Sequence, residues 1–247
     1  MSNTASRGAA AAVTEHRHDT PAQQAHALAD AVAAQLQQAL RARAVATLAV
    51  SGGRSPVAFL QALAQQPLPW ERVLITLVDE RCLPDGHTER NATLVTQHLL
   101  HAGAQRATWI DWLAGLPDPQ TVPDDALLQW AAERGATLPW PLDVVVLGMG
   151  EDGHTASWFA DSPGLDVALH GLARLTVTHP RHAPYRRLTL TRRAITEARH
   201  RHLALAGARK GSVYARARLA PTASLPVSLL LHDPRSPIDV WLADTQS

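Results

Sequence analysis

Three short apolar runs, VATLAV (45–50), VLITLV (73–78) and VVVL within DVVVLG (143–148), constrain this chain more than any other feature, because none of them alternates polar with apolar residues. A strand with one wet face alternates. A run apolar at every position needs cover on both faces, which a parallel sheet obtains from its crossover helices. Segments of helical period separate the runs. Thr20-Pro21 reads as a capped helix start, with Ala25, Leu28, Ala29, Val32, Leu36 and Leu40 as its apolar stripe up to about Arg43. Further helices are expected over 56–65, from a Thr88 cap to about 100, over 124–134 and from about Lys210 onwards. Weaker strand signals follow at TWIDW (108–112), LTVT (175–178), LTL (188–190), HLALAG (202–207) and IDVWLA (238–243). The pattern predicts an α/β fold, a mainly parallel sheet with helices on both faces.

No internal repeat and no long linker divides the chain, so residues 13–247 are expected to form a single domain. Residues 1–12 are small and polar without periodicity and are expected to be a disordered leader, in whose continuation His16 and His18 receive no role.

Composition removes several classes of function. Lys+Arg 23 against Asp+Glu 22 gives a net charge of +1, with no global attraction to nucleic acid or anionic membranes. Locally, residues 174–218 hold eleven arginines and Lys210 against one acid, Glu197, but only two aromatics, Tyr185 and Tyr214, to stack on bases. Nucleic acid is therefore not expected as a partner. No apolar run approaches the ~20 residues of a membrane span, and the N-terminal residues lack a signal-peptide pattern, so a cytoplasmic location without membrane attachment is expected. The one cysteine, Cys82, has no partner for a disulfide and reads as packing. His200 and His202 share a strand face but no acid or cysteine is spaced with them, so no metal site is expected.

In such sheets ligands bind beyond the carboxyl ends of the strands. The turn after the first run is Ser51-Gly52-Gly53-Arg54, leading into a helix. Its glycines let successive amides point into one space, and the helix N-terminus adds positive potential, which together suit a phosphate; an unliganded turn is the alternative. No Walker or dinucleotide fingerprint is present. The second turn, Asp79-Glu80-Arg81, puts three charges at a sheet edge, either around a polar ligand or as a solvated ion-paired turn, and Asn91 lies within reach in the next helix. The third, Gly148-Met149-Gly150-Glu151-Asp152-Gly153-His154, brings a histidine and two carboxylates to the end of the most buried strand. His154 there has the pKa range of a general base near neutral pH. Trp158 is expected to wall the site. Lys210, the single lysine, follows a strand end at a helix start, where a compact ammonium suits a phosphate better than a planar guanidinium.

SGGRSP, LVDERC with Asn91, and above all LGMGEDGHTASWF resemble the 6-phosphogluconolactonases, within the wider group that includes glucosamine-6-phosphate deaminases. RLTLT (187–191), GARK (207–210) and PVSLLLHDPRSPIDVWLAD resemble that family's later segments, in the same order. The resemblance implies a Rossmann-like fold of the sugar-phosphate isomerase/deaminase type. It also implies hydrolysis of 6-phosphoglucono-1,5-lactone to 6-phosphogluconate in the oxidative pentose phosphate route, without metal or cofactor. The substrate partner would be a small phosphorylated sugar lactone, and the protein a monomer or small homo-oligomer. His154 would be the general base, Asp152 would orient it or the sugar hydroxyls, and Arg81 or backbone amides over 150–153 would meet the oxyanion. Ser51, Gly52, Gly53, Arg54, Asp79, Glu80, Asn91, Gly150, Gly153, Arg187 and Lys210 would bind substrate or phosphate. Two competing readings use the same fold. A deaminase/isomerase would need a carboxylate five residues after the histidine, where Phe159 stands; a non-catalytic sugar-phosphate sensor would need the cradle but not the base.

Overall fold

The computed structural model describes residues 13–53 and 55–244. The strands are β1 (Val13–His18), β2 (Ala46–Val50), β3 (Val73–Leu77), β4 (Asp79–Arg81), β5 (Thr108–Trp109), β6 (Val144–Leu147), β7 (Leu175–Thr178), β8 (Arg187–Leu190), β9 (His200–Ala206) and β10 (Ile238–Ala243). The helices are α1 (Pro21–Ala42), α2 (Val57–Ala64), α3 (Asn91–His98), α4 (Asp124–Arg134), α5 (Leu165–His170), α6 (Arg192–Glu197), α7 (Ala208–Ala217) and α8 (Ser228–Leu231).

Seven strands form one sheet in the order β1-β10-β9-β6-β2-β3-β5, every pair parallel. Every residue of β2, β3 and β6 is buried, Thr47 and Thr76 included, as expected of non-alternating strands covered on both faces. Thr20 caps α1 by accepting from the Gln23 amide at 3.2 Å, and the predicted stripe from Ala25 to Leu40 is buried against the sheet.

From β2 the chain moves one way to β3 and β5, then returns to place β6 on the other side of β2. This reversal opens a crevice at the carboxyl ends of β2 and β6. The two strands are locked at both ends. At the amino end, buried Asp143 accepts from the Thr47 amide at 2.9 Å; at the carboxyl end, the Gly148 amide donates to Ser51 Oγ at 3.2 Å.

Three features depart from the sequence expectations. VTEHRH forms β1, an edge strand paired to β10, so His16 and His18 belong to the sheet. A second sheet, β4-β8-β7, is antiparallel. Finally, α3 starts at Asn91 rather than at Thr88, because its first amides are capped from β4 by the Glu80 carboxylate instead of by a local hydroxyl. The expected leader, residues 1–12, lies outside the described residues.

Candidate functional site

The crevice at the switch point is a cavity of about 600 Å³. Its wall is assembled from the three turns and from two later segments, β8 and α7. Ser51, Gly52, Gly53, Asp79, Arg81, Asn91, Gly150, His154, Arg187 and Lys210 all line it. Arg54 lies outside the described residues.

The loop after β6 folds on itself. The Gly150 amide donates to His154 O at 2.9 Å and the Gly153 amide to Gly150 O at 3.1 Å. A Cβ on Gly150 would lie 2.3 Å from the imidazole, so only glycine lets the turn close over the ring. Within it, His154 Nδ1 meets Asp152 Oδ1 at 2.6 Å, and the same oxygen accepts the His154 amide at 3.2 Å. Donation from Nδ1–H to the carboxylate leaves Nε2 as the ring's basic atom. Burial pushes the Asp152 carboxyl up, but the hydrogen bonds and charge of His154 outweigh it and hold the carboxyl below its ordinary value. Asp152 thus stands behind the histidine and outside the cavity wall. Phe159 stacks on the imidazole with ring centroids 4.2 Å apart, and the Arg187 guanidinium rests 5.8 Å from the same phenyl ring.

Three cations, Arg81, Arg187 and Lys210, line the cavity. In the antiparallel register Arg81 lies opposite Arg187. Arg81 donates to Glu89 O, and Arg187 donates to Pro184 O at 3.0 Å and Tyr185 O at 3.3 Å. Neither has a carboxylate within ion-pair distance among the described residues. Burial lowers the Arg187 pKa, yet a guanidinium stays charged. Lys210, in the first turn of α7, also lines the cavity and donates to Ser55 Oγ at 3.0 Å. Burial draws its ammonium pKa down. Asp79 accepts from Ser157 Oγ at 2.5 Å, and its carbonyl accepts from Asn91 Nδ2 at 2.8 Å. Gly52 packs so closely on Asn91 that a Cβ there would fall 1.9 Å from Oδ1.

Two residues expected to bind substrate do not reach the cavity wall. Glu80 is fully buried and points beneath α3, since the pleat of β4 sends it away from the side that Asp79 and Arg81 face. Burial pushes its carboxyl up to about 7, against three backbone amides that favour the charged form. Gly153 serves the turn itself, with its amide on Gly150 O and its carbonyl accepting from Val227. Likewise the amides of Gly150 and Gly153 are spent inside the loop, so of the expected oxyanion donors Arg81 and the amides of Glu151 and Asp152 remain. Trp158 is fully buried with Nε1 on Leu190 O at 2.8 Å, and Phe159 is the aromatic that stacks on His154 at the cavity wall.

The remaining sequence features settle elsewhere. Burial pushes the Cys82 thiol up to about 12, which leaves it protonated and inert. His202 is buried between Trp241 Nε1 (3.0 Å) and Gln35 Oε1 (2.7 Å), and no metal-ligand cluster occurs among the described residues. The arginine-rich stretch is dispersed over separate carboxylates: Arg174 and Arg193 on Glu197, Arg186 on Asp124, Arg192 on Asp233, and Arg209 on Glu151. No helix among the described residues is long and apolar enough to cross a membrane.

Comparison with known proteins finds consistent relatives. The family described as glucosamine-6-phosphate isomerases/6-phosphogluconolactonase matches residues 19–240. A 6-phosphogluconolactonase of Pseudomonas aeruginosa is 45% identical over 191 residues, which is 76% of this chain and 78% of that protein. One from Neisseria meningitidis is 40% identical over 219 residues, 88% of this chain and 93% of that protein. Among solved structures, a 6-phosphogluconolactonase from Shewanella baltica superposes with a TM-score of 0.88 at 36% identity, covering 96% of this chain and 100% of that one. A monomeric glucosamine-6-phosphate deaminase shares the fold, with a TM-score of 0.72 at 17% identity over 94% of this chain and 97% of that one.

Proposed function

The chain belongs to the glucosamine-6-phosphate isomerase/6-phosphogluconolactonase family, and from that premise we propose that it is a lactone hydrolase converting 6-phosphoglucono-1,5-lactone to 6-phosphogluconate. The observation that carries this reading is the His154–Asp152 pair, 2.6 Å apart, whose imidazole lines a cavity that Lys210 and the Gly52-Gly53 turn also line.

The phosphate is assigned to the Lys210 side, where the ammonium, the Ser55 hydroxyl, the glycine turn and the N-terminus of α7 supply donors and positive potential. Asp79 and Asn91 are assigned to the sugar hydroxyls. With the phosphate so held, the lactone carbonyl comes beside His154. His154 Nε2 takes a proton from water as the water oxygen bonds to the carbonyl carbon, and the carbonyl oxygen becomes an oxyanion facing Arg81. When that intermediate collapses, the bond from the carbonyl carbon to the ring oxygen breaks. The imidazolium returns its proton to the departing ring oxygen, which becomes a hydroxyl, and the new carboxylic acid releases its remaining proton to solvent to give the carboxylate. Asp152 steadies the ring throughout and stabilises its charged form, as an acid behind a catalytic histidine does. These steps need only side chains and water, which is the sense in which the reaction is proposed to be metal-independent.

Of the competing readings, ring-opening amine chemistry lacks a carboxylate at position 159, where Phe159 packs on the base. A sensor would have no use for a histidine with Nδ1 bound to a carboxylate and Nε2 free. The test is a coupled assay with freshly prepared 6-phosphogluconolactone beside one with glucosamine 6-phosphate. Lactone loss well above its spontaneous rate, without ammonia release from the amino sugar, is expected. Lactone loss at the spontaneous rate would overturn the reading.

A further inference from the structure

Glu80 is a buried titratable group that the proposed reaction leaves unused. Its carboxylate sits at a junction. Oε1 accepts from the Arg81 amide at 2.6 Å and the Asn91 amide at 2.8 Å, while Oε2 accepts from the Ala92 amide at 2.8 Å and faces Arg90 Nε at 3.4 Å. Arg90, itself buried, also binds Asp85 and reaches Asp111 at 2.6 Å, so the charge behind Glu80 is fixed in turn. One oxygen atom therefore holds the backbones of two cavity-lining residues that belong to different elements, Arg81 on β4 and Asn91 on α3.

The start of α3 has no side-chain cap of its own, and Glu80 supplies that role from another strand. A buried carboxylate is a costly way to cap a helix unless its donors are all in place. What it secures beyond a cap is the relative position of Arg81 and Asn91.

We propose that Glu80 is a positioning residue, which sets the place of Arg81 and Asn91 in the cavity through their main-chain amides and acts on the reaction through Arg81. This rests on the assignment of Arg81 to the oxyanion. Glu80→Gln preserves the shape but turns one acceptor into a donor facing N–H groups, whichever way the amide lies. We expect kcat/KM per folded molecule to fall ~30-fold, with most of the loss in kcat because Arg81 acts on the developing charge. In an Arg81→Ala background the same change is expected to cost only ~3-fold, because the group it positions is gone.

Wild-type kcat/KM in the folded Glu80→Gln variant would overturn the proposal. So would losses that multiply independently in the double variant, since a merely structural carboxylate lowers stability alike in both backgrounds. Should the amide variant not fold, Glu80→Asp keeps the charge, withdraws the oxygens by one methylene, and enters the same cycle. If the wild type fails to accelerate lactone hydrolysis, the reaction assignment fails. The same set of variants read by calorimetric binding of 6-phosphogluconate then tests the positioning separately, with non-additive affinity losses expected and additive ones fatal.

Discussion

His154 and His202 are the same residue in opposite circumstances. Each has one ring nitrogen engaged by a well-placed partner, Asp152 for the first and Trp241 for the second. They differ at the other nitrogen. His202 spends it on Gln35 of α1, whereas His154 Nε2 has no hydrogen-bond partner among the described residues and its ring lines the cavity. Trp241 donates to His202 Nδ1, which forces Nε2–H towards Gln35 and fixes the neutral tautomer. Burial then drops the His202 pKa to about 4. The chemistry of a histidine is thus set by which lone pair the fold leaves unspent.

The harshest way to test that contrast is His154→Ala, expected to lower kcat by ~10³-fold or more with an unchanged thermal unfolding temperature. A folded variant with near-normal turnover would remove His154 from the mechanism. The complementary experiment follows stability against pH. His202 has a folded pKa depressed to about 4, below the unfolded value of about 6.5, so the unfolded chain binds the extra proton between those values. Its contribution is complete above about pH 6.5 and is lost as pH falls towards 4, by up to ~3 kcal/mol in all. A His202→Gln variant should lack this part of the decline in urea titrations; an identical pH dependence would show that His202 is not its source. The smallest effect concerns Lys210. Lys210→Arg keeps the charge but broadens it, and KM for the lactone is expected to rise ~5-fold with kcat little changed. An unchanged KM would return Lys210 to the status of a surface residue.

Much of this was legible in the sequence because it is local. A glycine turn at a strand end and a histidine two residues after an aspartate carry their chemistry within a few positions, and the cavity collects them through the parallel topology that the apolar runs imply. What escaped is what depends on distant partners. The strand β1 has few apolar residues, and its extended form comes from pairing with β10 at the other end of the chain. Glu80 read as one of three charges in a turn, yet β4 is a pleated strand only because β8 pairs with it, and the pleat decides which charges face the cavity. Thr88 fits a helix cap by composition, but a carboxylate from β4 had already taken that duty. The adjacent aromatics Trp158 and Phe159 lie in an irregular loop, where no period tells which one turns inward.

The Ser51 hydroxyl, bonded to the Gly148 amide, ties the glycine turn of β2 to the loop that carries His154. In the proposed reaction, the anchor for the phosphate and the base for the carbonyl would then sit on a single gauge whose jaws do not slide. A phosphorylated lactone one carbon shorter would satisfy one jaw or the other but not both, so selection by length would come from the spacing itself, without any residue that rejects the wrong sugar.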